Sequence, residues 1–448
     1  MFKFLLLILL ISPVSASIIL EVCPNPYDPN SEYVKVFVDS NCTLTDGEGS
    51  ITFNRTGTFY VAKNSTAFER SFGFPPDYEF KGRFALSNSG EKVWIVRNGK
   101  ILDEFSWKNA DKGLIYYRTD RGWDFRYEDW TDFDSVRDYV SGSVIVSPAN
   151  YRIKANSIVL ASYTLTDPSS IDCDNLTIFL DGNVVGGIPA NEMTLPGDVH
   201  FLRSNSYRHF HWKFAVADGD RVVITTENWN FNKRGYIVEF KSEKIAKYLL
   251  SVLDHDRRYE YDVKKFSKPR HSFKSFKTGK IVKFESQVEV FVLPDCNPVL
   301  KVMRSAKKRL LIQAPYLGVE WKPLLKTIEN VSKHVRTKII LNDDETKEFL
   351  EKLARSKDLK LEVRKMESLH GKMIVADDVA LITSANLNEY GLERNREVGI
   401  LIYDKKVADF LANSFEEDWS SGRGNVCHLL VAVTVLAVAL LLAHRKLR

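Results

Sequence analysis

Two segments of this chain repeat one another: His211-Trp212-Lys213-Phe214-Ala215-Val216-Ala217-Asp218 and His370-Gly371-Lys372-Met373-Ile374-Val375-Ala376-Asp377. Both read H-x-K-x4-D and both run on to an asparagine, Asn228 and Asn386; the eleventh residue beyond each asparagine is a glutamate, Glu239 and Glu397. With 9 histidines in 448 residues, chance supplies on the order of a few hundredths of one such match, so two copies with matching sequels form a repeat. Imidazole, ammonium, amide and hydroxyl groups gathered twice over suit a phosphodiester. Lysine and amide donors hold anionic phosphoryl oxygens. One imidazole attacks phosphorus and a second protonates the leaving oxygen.

The spacing dictates how these groups are delivered. Residues two apart on a strand share a face, which aligns His211 with Lys213 and His370 with Lys372. Asp218-Gly219-Asp220 and Asp377-Asp378 have hairpin-turn composition, so Asp218 and Asp377 take structural roles. The returning strands, Val222 to Thr226 and Ala380 to Ser384, then bring Thr226, Asn228, Ser384 and Asn386 back beside the histidines as substrate-binding groups. A glutamate accepting from the remote ring nitrogen fixes the tautomer of each histidine. The pair His209-Phe210-His211 has zinc-like spacing, but no cysteine or carboxylate at ligand spacing accompanies it, and neither metal nor cofactor is expected.

These residues resemble the paired motif of the phospholipase D superfamily, over Val144 to Trp419. The resemblance implies two α/β halves packed face to face, with catalysis through a phosphohistidine and without metal. It nominates His211 and His370 as nucleophile and general acid, with His211 preferred as nucleophile. Lys213, Lys372, Asn228 and Asn386 are the implied phosphate ligands, and Glu239 and Glu397 the implied histidine orienters. The family's usual Gly-Ser is replaced here by Thr225-Thr226 and Thr383-Ser384. Phospholipid and nucleic acid both stand as substrate classes, and hydrolysis and transfer use the same residues.

The elements that must position this chemistry follow a multidomain plan. Residues 1–16 have the charge, apolar run and small-residue end of a signal peptide. Residues 17–108 alternate as short strands and predict an antiparallel β-sandwich, with no helical period. Glu21-Val22-Cys23-Pro24-Asn25-Pro26 with Glu32-Tyr33-Val34, and Leu86-Ser87-Asn88-Ser89-Gly90 through Val93 to Asp103-Glu104-Phe105, loosely resemble the lamin-tail family, an immunoglobulin-like module that would serve binding or positioning of a surface partner. Residues 109–143 are an aromatic and charged connector. Residues 144–284 and 285–421 form the two α/β halves; the second alternates strand and helix regularly, and the first lacks a helix between Ile158–Tyr163 and Leu176–Leu180.

Residues 426–443 are apolar enough for a membrane helix, and the basic tail 444–448 favours the cytoplasmic side. That predicts a single-pass, extracytoplasmic, membrane-anchored enzyme. Sequons at Asn41, Asn54, Asn64, Asn175 and Asn330 suit a glycoprotein, and Cys23–Cys42 and Cys173–Cys296 are candidate disulfides outside the membrane. Between the halves, Lys264 to Lys283 is basic and interleaved with Phe266, Phe273 and Phe276. A net charge of only +5 excludes a strongly basic nucleic-acid binder as the whole-chain reading. The rival class is a non-catalytic surface protein using the β module and an inert scaffold.

Overall fold

The computed structural model describes residues 17–120, 122–271 and 277–421. The expected signal peptide, membrane helix and tail, together with Phe273, Phe276 and Cys427, lie outside the described residues. No helix among the described residues is long and apolar enough to cross a membrane. The chain divides into two compact units at Thr131/Asp132.

The first unit is a sandwich. A six-stranded sheet, ordered Gly122–Tyr127, Leu114–Thr119, Ile18–Asn25, Tyr33–Val38, Gly57–Ala62 and Tyr78–Glu79, faces a four-stranded sheet of Ser50–Phe53, Cys42–Thr45, Gly90–Arg97 and Lys100–Lys108. Alternate residues of both, including Val34, Val36, Val61, Leu44, Phe53, Val93 and Ile95, share one buried cluster. One short helix, Ser65–Phe72, interrupts the strands, contrary to expectation. Its signal lies in its ends: Asn64 Oδ1 caps the Ala67 N–H at 2.9 Å, and Gly73 closes it at φ 82°. Only Ala67 and Phe68 are buried, too few to register as a period.

The connector is also corrected. Its first part is a hairpin, Leu114–Thr119 with Gly122–Tyr127, added to the strand Ile18–Asn25. Its side chains pack between the two sheets, with the Trp123 and Phe105 rings 3.9 Å apart and Arg118 paired to Asp103 at 2.6 Å. The last part opens a strand of the second unit. The expected disulfides are absent: Cys23, Cys42, Cys173 and Cys296 are free thiols. The Cys23 thiol donates to Glu128 at 3.7 Å, and the Cys42 thiol faces Ser17 Oγ at 3.5 Å.

The second unit is built on a continuous fourteen-stranded sheet. Its strands in chain order are β1 (Val136–Ser147), β2 (Ser157–Ser162), β3 (Asn175–Asp181), β4 (Asp198–Leu202), β5 (Lys213–Ala217), β6 (Arg221–Thr225), β7 (Gly235–Lys241), β8 (Lys280–Leu293), β9 (Arg309–Gln313), β10 (Arg336–Leu341), β11 (Leu361–Lys365), β12 (Met373–Ala376), β13 (Val379–Thr383) and β14 (Glu397–Ile402). Spatially they run β4-β3-β2-β5-β6-β7-β1-β8-β14-β13-β12-β9-β10-β11. Read from either end the order is the same, so a pseudo-twofold passes between β1 and β8, which pair antiparallel from Val136↔Val290 to Val146↔Lys280. It relates β5 to β12 and β7 to β14.

The helices break this symmetry. Helix α1 (Glu243–Asp256) follows β7 as α5 (Lys405–Ser421) follows β14. The second half adds α2 (Val299–Ser305), α3 (Lys322–Ser332) and α4 (Asp344–Ser356), whose Val299, Met303, Leu324, Ile328 and Leu350 cover the sheet. The first half has only the 3-10 turns Pro168–Ser170 and Ala190–Thr194 at the β2–β3 and β3–β4 crossings. There the sheet is covered by loop residues, chiefly Ile153, Leu165, Trp229 and Phe231. Burial that three helices supply on one side is supplied by irregular chain on the other.

Candidate active site

The two motifs meet at the seam because each histidine strand extension pairs with the opposite half. The His211 N–H donates to the Arg396 carbonyl at 2.8 Å, and the His370 N–H donates to the Arg234 carbonyl at 2.9 Å. Arg234 and Arg396 are symmetry counterparts, each immediately ahead of the first residue of β7 and β14 respectively. Each guanidinium is fixed by the helix that follows the opposite half's strand. Arg396, fully buried, grips Asp256 of α1 through Nε at 2.7 Å and Nη2 at 3.1 Å, and Asp295 through Nη1 at 2.9 Å. Arg234 pairs with Asp418 of α5. Both arginines escaped the sequence reading; an alignment of the hydrophobic strands after them, rather than a count from the asparagines, reveals them.

His211 Nδ1 lies 2.7 Å from Glu397 Oε1. The Ser384 hydroxyl donates to Glu397 Oε2 at 2.5 Å, and Asn395 Nδ2 donates to Oε1 at 3.1 Å. This triad fixes the carboxylate, which fixes the ring. His370 is held differently, its Nδ1 donating to the Thr226 carbonyl at 2.8 Å. Lys213 Nζ donates to the His211 carbonyl at 2.6 Å, and Lys372 Nζ to the Thr226 carbonyl at 3.4 Å. The Tyr163 ring stands 4.7 Å from that of His211 and forms one wall.

Three expected assignments change. The hydroxyls of Ser384 and Thr226 are committed within the protein: Ser384 to Glu397, and Thr226 Oγ1 as acceptor of the Tyr236 N–H at 3.0 Å. Ser384 thereby holds Glu397, and Thr226 holds the backbone at Tyr236. Glu239 is not a histidine orienter; it accepts from the Tyr151 hydroxyl at 2.9 Å and pairs with Arg221 at 3.5 Å. Strand register explains the error. Thr225 pairs with Ile237 and Thr383 with Gly399, so the counterpart of Glu397 is Gly235. Ten residues separate Asn386 from Arg396 and six separate Asn228 from Arg234, the excess forming the π-turn Tyr390–Arg394.

Gly235 leaves room that Glu227 fills. A Cβ at Gly235 would stand 2.7 Å from Glu227 Oε1. That carboxyl group accepts from the Ser147 hydroxyl at 2.5 Å and the Lys233 N–H at 3.2 Å.

The remaining groups stand where the spacing put them. Asp218 accepts from the N–H groups of Asn156 and Ser157, each at 2.9 Å, and Asp377 from those of Lys307, Lys308 and Arg309 at 2.8, 2.8 and 2.9 Å. Both clamp turns at positive φ, 49° and 54°. Asn228 donates to Thr164 Oγ1 at 3.0 Å, while Oδ1 of Asn228 and of Asn386 are buried without a hydrogen-bond partner among the described residues. A half-turn of either amide aims an NH2 at that position and makes a donor available to an anion. His209 and His211 engage separate carboxylates, His209 Nδ1 with Asp181 at 3.1 Å. Groups of three or more His, Cys, Asp or Glu placed to hold a metal are absent among the described residues.

Electrostatics tie the motifs together. Burial pushes His211 down to about 4, helped by Lys213 and Lys372 and opposed by Glu397. Burial likewise takes His370 well below its ordinary value, and the charges of Lys372, Lys213 and His211 add to it. Lys372 is pushed down to about 8 by burial, against the pull of Glu397 and Glu227. Glu397 is raised by burial, yet the His211 ring and Lys213 hold it below the usual carboxylate range. Burial lifts Glu227 to about 7. Two lysines and two protonatable imidazoles surround one ionised carboxylate, so an anion joining them favours their protonated forms.

The family model described as "Cardiolipin synthase, PLD-like domain" matches residues 299–419. Over these residues the chain carries a PLD-like domain. The cardiolipin synthase of Clostridium perfringens is 30% identical over 131 residues, 27% of this chain and 27% of that protein. Cardiolipin synthase 1 of Bacillus cereus is 26% identical over 132 residues, 28% of this chain and 26% of its own length. The chain thus spans about a quarter of these curated relatives. Among solved structures, the phosphatidylserine synthase of Haemophilus influenzae aligns at a TM-score of 0.44 and 15% identity over 60% of this chain and 81% of that one. Nuc of Salmonella typhimurium, a phospholipase D family member, aligns at 0.26 and 19% identity over 30% and 93%.

Two outcomes check this arrangement. Lys372 is cationic below about 8, so affinity for inorganic phosphate, measured calorimetrically, falls as pH rises through that value. Lys372→Arg holds its affinity above it, and Glu227→Gln moves the fall to lower pH. Arg396→Met strands two buried carboxylates, Asp256 and Asp295, and lowers stability in urea unfolding by about 3–5 kcal/mol.

Proposed function

We propose that this chain is a phosphodiesterase of phospholipase D type, working through a covalent phosphohistidine, with His211 as nucleophile and His370 as general acid. The observation that carries the reading is the His211–Glu397 contact of 2.7 Å within a cluster that also contains His370, Lys213 and Lys372. Attack by the Nε2 lone pair of His211 forms a P–N bond as the P–O bond to the leaving alcohol breaks. The ring becomes cationic in that step, and Glu397 at Nδ1 offsets the new charge.

His370 gives its proton to the departing oxygen. Its depressed proton affinity makes it a strong donor once the phosphodiester anion has helped it to acquire that proton. The resulting base takes a proton from water or from a second alcohol, which attacks phosphorus and breaks the P–N bond. Hydrolysis and transfer share every residue. Lys213, Lys372, Asn228 and Asn386 hold the phosphoryl oxygens. No step here calls on a metal, and phospholipid and nucleic-acid phosphodiesters both meet these requirements.

The location reading is an anchored, extracytoplasmic enzyme, supported by the apolar segments 4–11 and 429–443 and the basic tail. The sandwich then acts as a positioning or surface-binding module of lamin-tail type.

Bis(p-nitrophenyl) phosphate separates the two histidines, because its leaving group departs without a proton. His370→Ala gives a burst of nitrophenolate and an acid-labile, base-stable phosphoryl group that maps to His211; His211→Ala gives neither. Each loses about a hundred- to ten-thousandfold in turnover. Wild-type turnover in both variants would overturn the reading.

A further inference from the structure

The site lies beside an apolar, tyrosine-bearing and basic rim, and we propose that this rim docks the second unit on an anionic phospholipid bilayer. The inference rests on the phosphodiesterase reading and names the surface from which that site draws its substrate. Val185 is 71% exposed and Met193 62%, two of the most exposed large apolar side chains among the described residues. Both belong to residues 182–197, the β3–β4 crossing, where the second half has a helix instead. Loss of that helix leaves a loop tip with no apolar surface to cover it.

The loop is joined to the catalytic wall. The Val185 N–H donates to the Tyr163 hydroxyl at 2.8 Å, and the other face of the contact is the Tyr163 ring 4.7 Å from His211. Asn183 Nδ2 donates to the carbonyl of Arg208, three residues before His211, at 3.1 Å. On the second-half side, Tyr390 is 49% exposed beneath the Arg208 guanidinium, 4.3 Å from its ring centre. Tyr316 is 58% exposed, and its neighbour Leu317 bridges to Leu387, next to Asn386. Exposed apolar and tyrosine side chains therefore stand on both sides of the histidines.

Cations frame the same loop. Arg270 Nη2 donates to the carbonyls of Val185 at 2.8 Å and Gly187 at 3.1 Å, and the Ser267 N–H to that of Ile188 at 2.7 Å. This lashes Lys264, Lys265 and Lys268, all exposed, alongside the tip, and no acidic residue falls between Lys264 and His271. Apolar tips that enter the acyl boundary, tyrosines at headgroup level and lysines against anionic headgroups form a bilayer-facing surface. A nucleic acid would use the cations and tyrosines but would gain nothing from Val185 and Met193, which favours the bilayer.

The test uses the full chain with added vesicles of phosphatidylcholine alone or mixed with phosphatidylglycerol, so that any insertion through residues 426–443 is common to both. Amide exchange across 183–194 slows with the mixed vesicles and not with phosphatidylcholine alone. Val185→Glu/Met193→Glu abolishes that protection and lowers turnover of vesicle lipid roughly tenfold or more, while bis(p-nitrophenyl) phosphate turnover stays within about twofold. Unchanged exchange with mixed vesicles, or protection by single-stranded DNA instead, would overturn the proposal. Docking without turnover of either substrate would leave the surface standing and sink the catalytic reading.

Discussion

Removing positive charge from water is costly unless a counter-charge goes with it, and the seam of the second unit is organised around that constraint. Lys213 and Lys372 are buried beside two imidazoles, with Glu397, itself fully buried, as the shared ionised partner. Glu397 is held by Ser384 and Asn395 before it meets His211. One carboxylate beside two lysines and two protonatable imidazoles leaves the site short of negative charge, and in the proposed mechanism a phosphodiester anion supplies it. In that mechanism, substrate binding and activation of the imidazoles are one event.

The supports lie a layer further out. Arg396 and Arg234 hold the backbone carbonyls that receive the His211 and His370 amides, and they are pinned by Asp256 and Asp418 on corresponding helices. Duplication supplies this frame twice, and the chemistry then departs from symmetry at one position. Glu397 orients its histidine, whereas Gly235 cannot, and the His370 ring falls back on the Thr226 carbonyl. A ring braced by a carboxylate tolerates the positive charge of a phosphoryl adduct; a ring braced by a carbonyl releases its proton more readily. In the proposed mechanism, this difference in brace divides the labour between otherwise equivalent groups.

Much of this was legible in the residues. H-x-K-x4-D twice over located both histidines, both lysines and both turn aspartates, because strand periodicity and turn chemistry are local. The second half's alternation of strand and helix was equally plain, since Leu310, Ile312, Leu324 and Ile328 recur at the spacing their elements demand. What failed depended on register between strands. Glu239 has the same count from its asparagine as Glu397, but a longer turn before β14 makes the match coincidental. The hairpin of residues 114–127 read as a connector because its aromatics find partners such as Phe105 only on the opposite sheet of the sandwich. The thiols of Cys23 and Cys42 meet separate neighbours, Glu128 and Ser17, that no spacing rule could name.

The central claim is that both imidazoles address one phosphoryl group. A crystal structure of the chain with tungstate tests it directly. The account predicts one tetrahedral anion with Nε2 of His211 and Nε2 of His370 each within about 3.2 Å of it, on opposite sides, and both lysine ammoniums turned from their carbonyls onto its oxygens. An anion held by one histidine alone, or two anions in separate places, would contradict it.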